Sequence, residues 1–197
     1  MKTLRESLLD DDLVTKTDEM IKDEIKVFLK ENFKGASLCK ISRTPNSDGK
    51  YEVSSTKDIE VKNYNITSLT NGMFIWTTIG GYFSCPMCNS LKSLEGAPKK
   101  VDYNFNCSHC IVLESLEGAP EKVGGDFNCF GCPGLTSLKG APKEVVWDFN
   151  CSMCESLKSL NGAPKEIGGD FICWRRRVKF NEDDVKKVSN VKGKIRC

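Results

Sequence analysis

Residues 101–122 read VDYNFNCSHCIVLESLEGAPEK, 123–144 read VGGDFNCFGCPGLTSLKGAPKE and 145–166 read VVWDFNCSMCESLKSLNGAPKE. Placed one under another they align without a gap. Working outward from them, Phe83, Phe105, Phe127, Phe149 and Phe171 fall on a period of 22 residues, and so do Cys85, Cys107, Cys129, Cys151 and Cys173. A second cysteine follows at Cys88, Cys110, Cys132 and Cys154. Leucines at 91/94, 113/116, 135/138 and 157/160, Gly-Ala-Pro beginning at 96, 118, 140 and 162, and Val101, Val123, Val145 and Ile167 complete the unit. A fixed period of this length marks a chain built from stacked copies of one supersecondary element.

The unit explains its own length. F-x-C alternates with period two, so both side chains lie on one face of a strand. The x-x-C-x-x-L-x-x-L run carries the chain through further inward positions, and Gly-Ala-Pro closes the coil, since glycine permits the bend and proline fixes φ. One such coil cannot bury its apolar edge alone. Stacking coils at a strand spacing of about 4.8 Å buries a continuous core and pairs the strands into a parallel sheet. A degenerate copy precedes the regular ones, with Val61 placed in the Phe slot, Ile66 in the second-Cys slot, Leu69 in the first-Leu slot and Ile79 in the Val slot. Ile195 and Cys197 repeat the F-x-C pair at a spacing of 24. The pattern therefore predicts seven rungs, with strands near 59–63, 81–85, 103–107, 125–129, 147–151, 169–173 and 193–197.

The V-x-x-x-F-x-C-x-x-C register resembles the leucine-rich-repeat family, with Phe and the first Cys in the strand and the second Cys where that family has Asn or Cys. The resemblance covers roughly 57–197 and implies an α/β-type repeat solenoid with one parallel sheet. The wording LxSLxGAPxxVGGDFxC is similar to uncharacterised repeat proteins of bacteriophages and gut bacteria. That likeness implies a viral protein acting in a host cytoplasm by binding, then inhibiting or redirecting, a host defence factor.

Open solenoid ends expose apolar surface and call for caps. Met20, Ile21, Ile25, Phe28, Leu29 and Phe33 share one helical face after Thr17, with Gly35 as the residue that ends the helix. The runs Leu38–Ser42 and Tyr51–Ser55, joined through Asn46–Gly49, read as a hairpin. Asn181 and Asp184 predict a short helix near the C-terminus. The expected organisation is a loose leader over 1–14, a helix-and-hairpin cap over 15–56, the solenoid over 57–173 and a C-terminal cap over 174–197.

Eleven cysteines in 197 residues demand an account. The N-terminal stretch carries acidic residues where a secretory signal would be apolar, which predicts a reducing, cytoplasmic setting and no disulfide framework. The C-x₂-C-x₁₈-C-x₂-C spacing fits a zinc ribbon, and C-x-x-C also fits redox chemistry. Because the cysteines keep phase with Phe, Leu and Pro, core packing is the preferred reading, with no metal and no cofactor.

Function belongs where the copies differ. The outward slots beside Phe and Cys hold Tyr64, Tyr82, Met87, Asn106, His109, Asp126, Asn128, Phe130, Asp148, Asn150, Met153, Ile172 and Trp174. Met87, Phe130, Met153, Ile172 and Trp174 are large apolar residues where the scaffold requires none, and together they predict a stripe on a concave strand face that binds a protein. Trp147 extends that stripe or fills a local gap. Asp126, Asp148 and Asp170 form a carboxylate ladder, read as solvated strand residues or as a cation site. Residues 1–33 carry a net charge of −3 and 174–197 of +6. Arg175, Arg176 and Arg177 beside Trp174 could meet a protein's acidic surface or the phosphates of a nucleic acid. His109 is the sole histidine, and neither a nucleophile elbow nor a phosphate loop occurs, so an enzyme is not expected. No stretch reads as a membrane span.

Overall fold

The structure, a computed structural model, describes residues 16–176 and 180–197. The chain is a parallel β-solenoid of about six turns. Helix α1 (Asp18–Asn32) leads into the short strand β1 (Phe33–Lys34) and a hairpin of β2 (Lys40–Ile41) and β3 (Tyr51–Ser55). Coils then alternate between two sides. One side carries β4 (Ile59–Val61), β6 (Phe83–Ser84), β8 (Phe105–Asn106), β10 (Phe127–Asn128), β12 (Phe149–Asn150), β14 (Phe171–Ile172) and β16 (Ile195–Arg196). The other carries β3, β5 (Phe74–Ile79), β7 (Lys100–Val101), β9 (Lys122–Val123), β11 (Glu144–Val145), β13 (Glu166–Ile167) and β15 (Asn190–Val191). Helix α2 (Glu182–Lys186) lies between β14 and β15.

Seven parallel strands on each side bound six turns, which is how seven rungs in the sequence become six coils. The expectation of a single sheet is corrected here. The Val slot of every unit is a strand too, so each coil is extended on both sides, and among the described residues only the last coil contains a helix, α2. That also departs from an α/β-type repeat. Each sheet ends on one antiparallel strand, β1 against β4 and β2 against β3.

Pairing is in register, so each residue meets its own counterpart one coil away. Phe83, Phe105, Phe127 and Phe149 stack with ring centroids 5.3–5.6 Å apart, and Phe171 continues the column at 5.2 Å. Such pairs contribute about 0.5–1.5 kcal/mol each beyond the area they bury. Behind them the strand thiols of Cys85, Cys107, Cys129 and Cys151 and the leucines of every coil are fully or almost fully enclosed.

The second thiol has a backbone task. Cys110 Sγ donates to the Cys85 carbonyl at 3.3 Å, Cys132 to Cys107 at 3.3 Å and Cys154 to Cys129 at 3.2 Å. Each carbonyl sits where the strand ends and the sheet ladder supplies no partner. An enclosed carbonyl left unpaired costs about 1–3 kcal/mol, so a small buried donor is the economical side chain at that slot.

The Gly of Gly-Ala-Pro is required twice over. Gly118 has φ 88°, and a Cβ there would run into the backbone of Glu95 in the preceding coil.

The ends differ from their sequence reading in three respects. Ile59, not Val61, sits opposite Phe83, so Val61 falls in the strand-Cys register and the extra residues lie between Val61 and Ile66. Helix α1 stops at Asn32, the chain runs extended through Phe33–Lys34, and Gly35 (φ 80°) opens a 3-10 turn instead of ending the helix. Met20 is exposed, and the buried face of α1 is carried by Ile25 and Leu29. Thr17 caps α1 by accepting from the Met20 amide, and Asn181 and Asp184 form the reciprocal capping pair of α2, as their spacing predicts. Residues 1–15, which include the expected leader, lie outside the described residues. Parallel pairing reaches from Tyr51 to Arg196, beyond both solenoid boundaries drawn from sequence.

Cysteine departs from expectation at one place. Cys173 and Cys197, on the last two coils of one ladder, are joined as a disulfide with Cα atoms 4.6 Å apart. In-register stacking is what brings them within bonding reach.

Burial pushes the thiols of Cys85, Cys107 and Cys151 well above the ordinary value of 9.0. The folded chain therefore keeps protons that the unfolded chain releases in alkali. Stability should be intact below about pH 9 and fall above it by about 1.4 kcal/mol per pH unit for each such thiol. Urea unfolding followed by circular dichroism between pH 7 and 11 checks this. In the same assay Gly118→Ala should cost about 2 kcal/mol or more, through left-handed strain and the collision with the neighbouring coil.

Candidate interaction face

The outward side of the Phe strands places Glu60, Ser84, Asn106, Asn128, Asn150, Ile172 and Arg196 in one row. Asn106, Asn128 and Asn150 are half-buried, and each side-chain oxygen accepts the amide two residues on, at Ser108, Phe130 and Ser152, over 2.9–3.0 Å. Asparagine stands in the row because it turns the chain out of the strand. Only the amide nitrogens are left to face a partner.

The next row is the carboxylate ladder, in which each side chain has a backbone partner. Asn104 Oδ1 accepts the amide of Asp126 at 2.9 Å, Asp126 that of Asp148 at 3.0 Å, Asp148 that of Asp170 at 2.7 Å and Asp170 that of Lys194 at 2.7 Å. Each side chain ties its coil to the next. At two steps glycine leaves room for the bridge, since a Cβ on Gly125 or Gly169 would occupy the path of the Asn104 or Asp148 side chain. At the last step the Lys194 amide and then the Arg196 guanidinium, whose Nε lies 2.7 Å from Oδ2, hold the Asp170 carboxyl below its usual range.

These two rows floor a shallow depression of about 210 Å³ over Asn106, Asp126, Asn128, Asp148, Asn150 and Ile172. A second depression, of about 320 Å³, lies over Glu60, Tyr82, Ser84, Asn104 and Asn106. The expected strand-face residues are thus brought together, as a polar surface with Tyr82 and Ile172 at its flanks.

The apolar residues lie along the border of that surface and occupy two slots, not one stripe. Phe130 and Trp174 share the slot of Pro86, Ser108 and Ser152, whereas Met87, His109 and Met153 share the following slot with Gly131. The His109 ring meets Phe130 edge-on at 5.2 Å. Phe130 and Trp174 are anchored two coils apart, yet their rings approach to 6.4 Å, and Ser152 between them is completely buried. His109, Phe130 and Trp174 therefore make one continuous ridge, with Trp174 still 46% exposed. Tyr64 is exposed on the first coil, apart from this ridge, where its carbonyl accepts from Asn89.

The backbone along the ridge is unusual. Met87, His109 and Met153 have φ of 54°, 58° and 59°, and Gly131 in the same slot has 68°. A side chain in this left-handed region costs on the order of 1 kcal/mol. Gly131 has a separate reason to be glycine, since a Cβ there would stand 2.9 Å from His109 Nδ1.

The basic segment changes character. Arg175 is 4% exposed, with its guanidinium 4.0 Å from the Phe180 ring centroid and donating to the Cys154 and Leu157 carbonyls. It closes the last regular coil and is withdrawn from any partner, because the chain turns inward after Trp174. Arg176 is exposed, and its amide donates to Glu155 Oε1. Arg177 lies outside the described residues.

Among the described residues no group of three or more His, Cys, Asp or Glu converges as metal ligands do, and no helix is long and apolar enough to cross a membrane.

Sequence reasoning passed over Tyr103. It is 64% exposed, Trp147 is 63% exposed, and the two share a slot with Gly125 between them. The amide ladder Gly125 to Tyr103 and Trp147 to Gly125 fixes that register. The signal was available, since both aromatics replace a glycine of Gly-Gly-Asp.

The ladder makes a sharp prediction. Asp148→Asn should be tolerated, because Asn104 performs the same bridge, whereas Asp148→Ala should cost about 1–2 kcal/mol in urea unfolding. Comparison of the chain with protein-family models, with curated proteins and with solved structures gives no match.

Proposed function

We propose that this is a non-enzymatic repeat protein that binds another protein along the ridge of Met87, His109, Phe130, Met153 and Trp174 and the polar strand face beside it. The observation that carries the reading is the left-handed backbone at Met87, His109 and Met153. Gly131 occupies the same slot, so the coil accepts glycine there, and three coils nevertheless hold a large side chain at a conformational cost. Those side chains project outward, and the apolar border with a polar floor has the make-up of a protein interface with aromatic and methionine anchors.

The repeat type is assigned by its likeness to leucine-rich repeats, on the spacing of the strand Phe and Cys and of the leucines that follow. In that reading α1 with its hairpin caps one end of the solenoid and the α2 segment caps the other. Ile25 and Leu29 at the first end, and Val185 at the second, are buried in the common core. The likeness to bacteriophage repeat proteins names a host protein as the class of partner.

Phe130→Ala combined with Trp174→Ala should abolish recovery of a partner from cell lysate while the circular dichroism spectrum is unchanged. Met87→Gly separates binding from folding: it should weaken recovery while stability stays within about 1 kcal/mol of the parent, because lost strain offsets added chain entropy. Undiminished recovery with both variants would place the interface elsewhere.

A further inference from the structure

A pocket of about 720 Å³ opens at the helix end of the solenoid, between α1, β1 and the hairpin. Its volume is that of a small-molecule site. Ala36, Cys39 and Ile41, each half-buried, form an apolar floor over Leu29 and Phe33 of the buried core. The charged residues described on the rim are all cations. Lys22, Lys26 and Lys30 follow one another at four-residue intervals and so share a face of α1, while Arg43 comes from the hairpin and Lys62 from the exit of β4. Among the described residues no acidic one lines the pocket.

Two of these cations are occupied. Lys22 Nζ donates to the Arg43 carbonyl at 2.5 Å, and Lys26 pairs with Asp23 at 2.8 Å. Lys30, Arg43 and Lys62 make no side-chain hydrogen bond or ion pair to another described residue. The formal charge of the whole chain is only +2, so this concentration of positive charge is local. Like charges gathered around a concave apolar surface raise the potential there and favour an anion.

We propose that this pocket binds a single-chain anionic amphiphile, its alkyl chain on the floor of Ala36, Cys39 and Ile41 and its carboxylate or phosphate head among Lys30, Arg43 and Lys62. An apolar floor excludes a bare anion as the natural occupant, and a cationic rim excludes a neutral or cationic lipid. A nucleic acid would need exposed rings on which bases could stack, and Phe33 is buried. The site lies at the opposite end of the coil stack from Trp174, so it is independent of the protein-binding ridge.

Cys39 provides the readout. It lines the pocket, it is the one free cysteine that is not fully enclosed, and burial pushes its thiol up to about 11. The full chain, without reductant so that Cys173–Cys197 stays closed, is treated with a small thiol reagent, and the modification rate of Cys39 is followed. Cys39→Ser supplies the blank. Decyl phosphate below its micelle concentration should slow the reaction saturably, while decyltrimethylammonium and inorganic phosphate should leave it unchanged. Lys30→Glu with Arg43→Glu should weaken the decyl phosphate effect by about tenfold or more with the circular dichroism spectrum retained. Equal protection by the cationic amphiphile, protection by inorganic phosphate alone, or Cys39 already inert in the free chain would each overturn the proposal. So would binding to phosphatidylglycerol vesicles without protection by monomeric decyl phosphate, which would make this a membrane-docking surface.

Discussion

In-register stacking is the constraint on which everything else in this chain depends. A 22-residue period puts every side chain directly against its own copy at strand spacing, so each slot must hold a residue compatible with itself. Phenylalanine meets this by stacking ring on ring, and cysteine by being small and apolar enough for a column of thiols to fill the interior without gaps. A charge at such a slot would ordinarily repel its neighbour. The aspartate ladder avoids the penalty because each carboxylate faces a backbone amide of the next coil, so attraction to an N–H stands between successive negative groups.

The same constraint orders the cysteines in a way composition cannot show. Sequence spacing offers metal, redox chemistry and core packing as alternatives. The geometry separates the two cysteines of each C-x-x-C into different tasks: the first fills volume in the strand, and the second completes the hydrogen bonding of the preceding coil. The strand row continues to Cys173 and Cys197, where the stack ends and two successive members are bonded to each other. One register thus produces a column of free thiols and a disulfide at its end, and no separate framework has to be invoked.

How much of this was legible follows from which properties are periodic. The rungs, the inward Phe, Cys and Leu, and the capping residues Thr17, Asn181 and Asp184 could be read because they recur or carry local signatures. The second sheet was missed because its strands from β7 onward contribute a single inward residue each, Val101 or its equivalents, and period-two alternation cannot show in two residues. The degenerate first coil was misplaced by two positions, because counting back in steps of 22 cannot see an insertion between Val61 and Ile66. Arg175 was read as part of an exposed basic run, since nothing local reveals that the chain turns inward to lay the guanidinium on Phe180. Asn106, Asp126 and their copies were rightly put on the outer face, but their bonds to backbone amides depend on a neighbouring coil that a linear reading does not contain.

Separating scaffold from function therefore requires asking, slot by slot, whether the coil itself needs the residue found there. Asparagine and aspartate of the strand face fail as evidence of binding, because each has a backbone partner. The ridge slot gives the opposite answer. Its left-handed backbone favours glycine, Gly131 shows glycine accommodated, and Met87, His109 and Met153 stand there against that preference. Gly131 is itself instructive, for the space its side chain would take is filled by His109, which turns its edge to Phe130, and Phe130 leans across Ser152 to Trp174. His109, Phe130 and Trp174 are consequently one packed unit spanning four coils, held in place by one another as well as by the solenoid. A surface preorganised in this way loses less side-chain freedom on meeting a partner than isolated methionines and aromatics would, which is the physical support for the proposed interface.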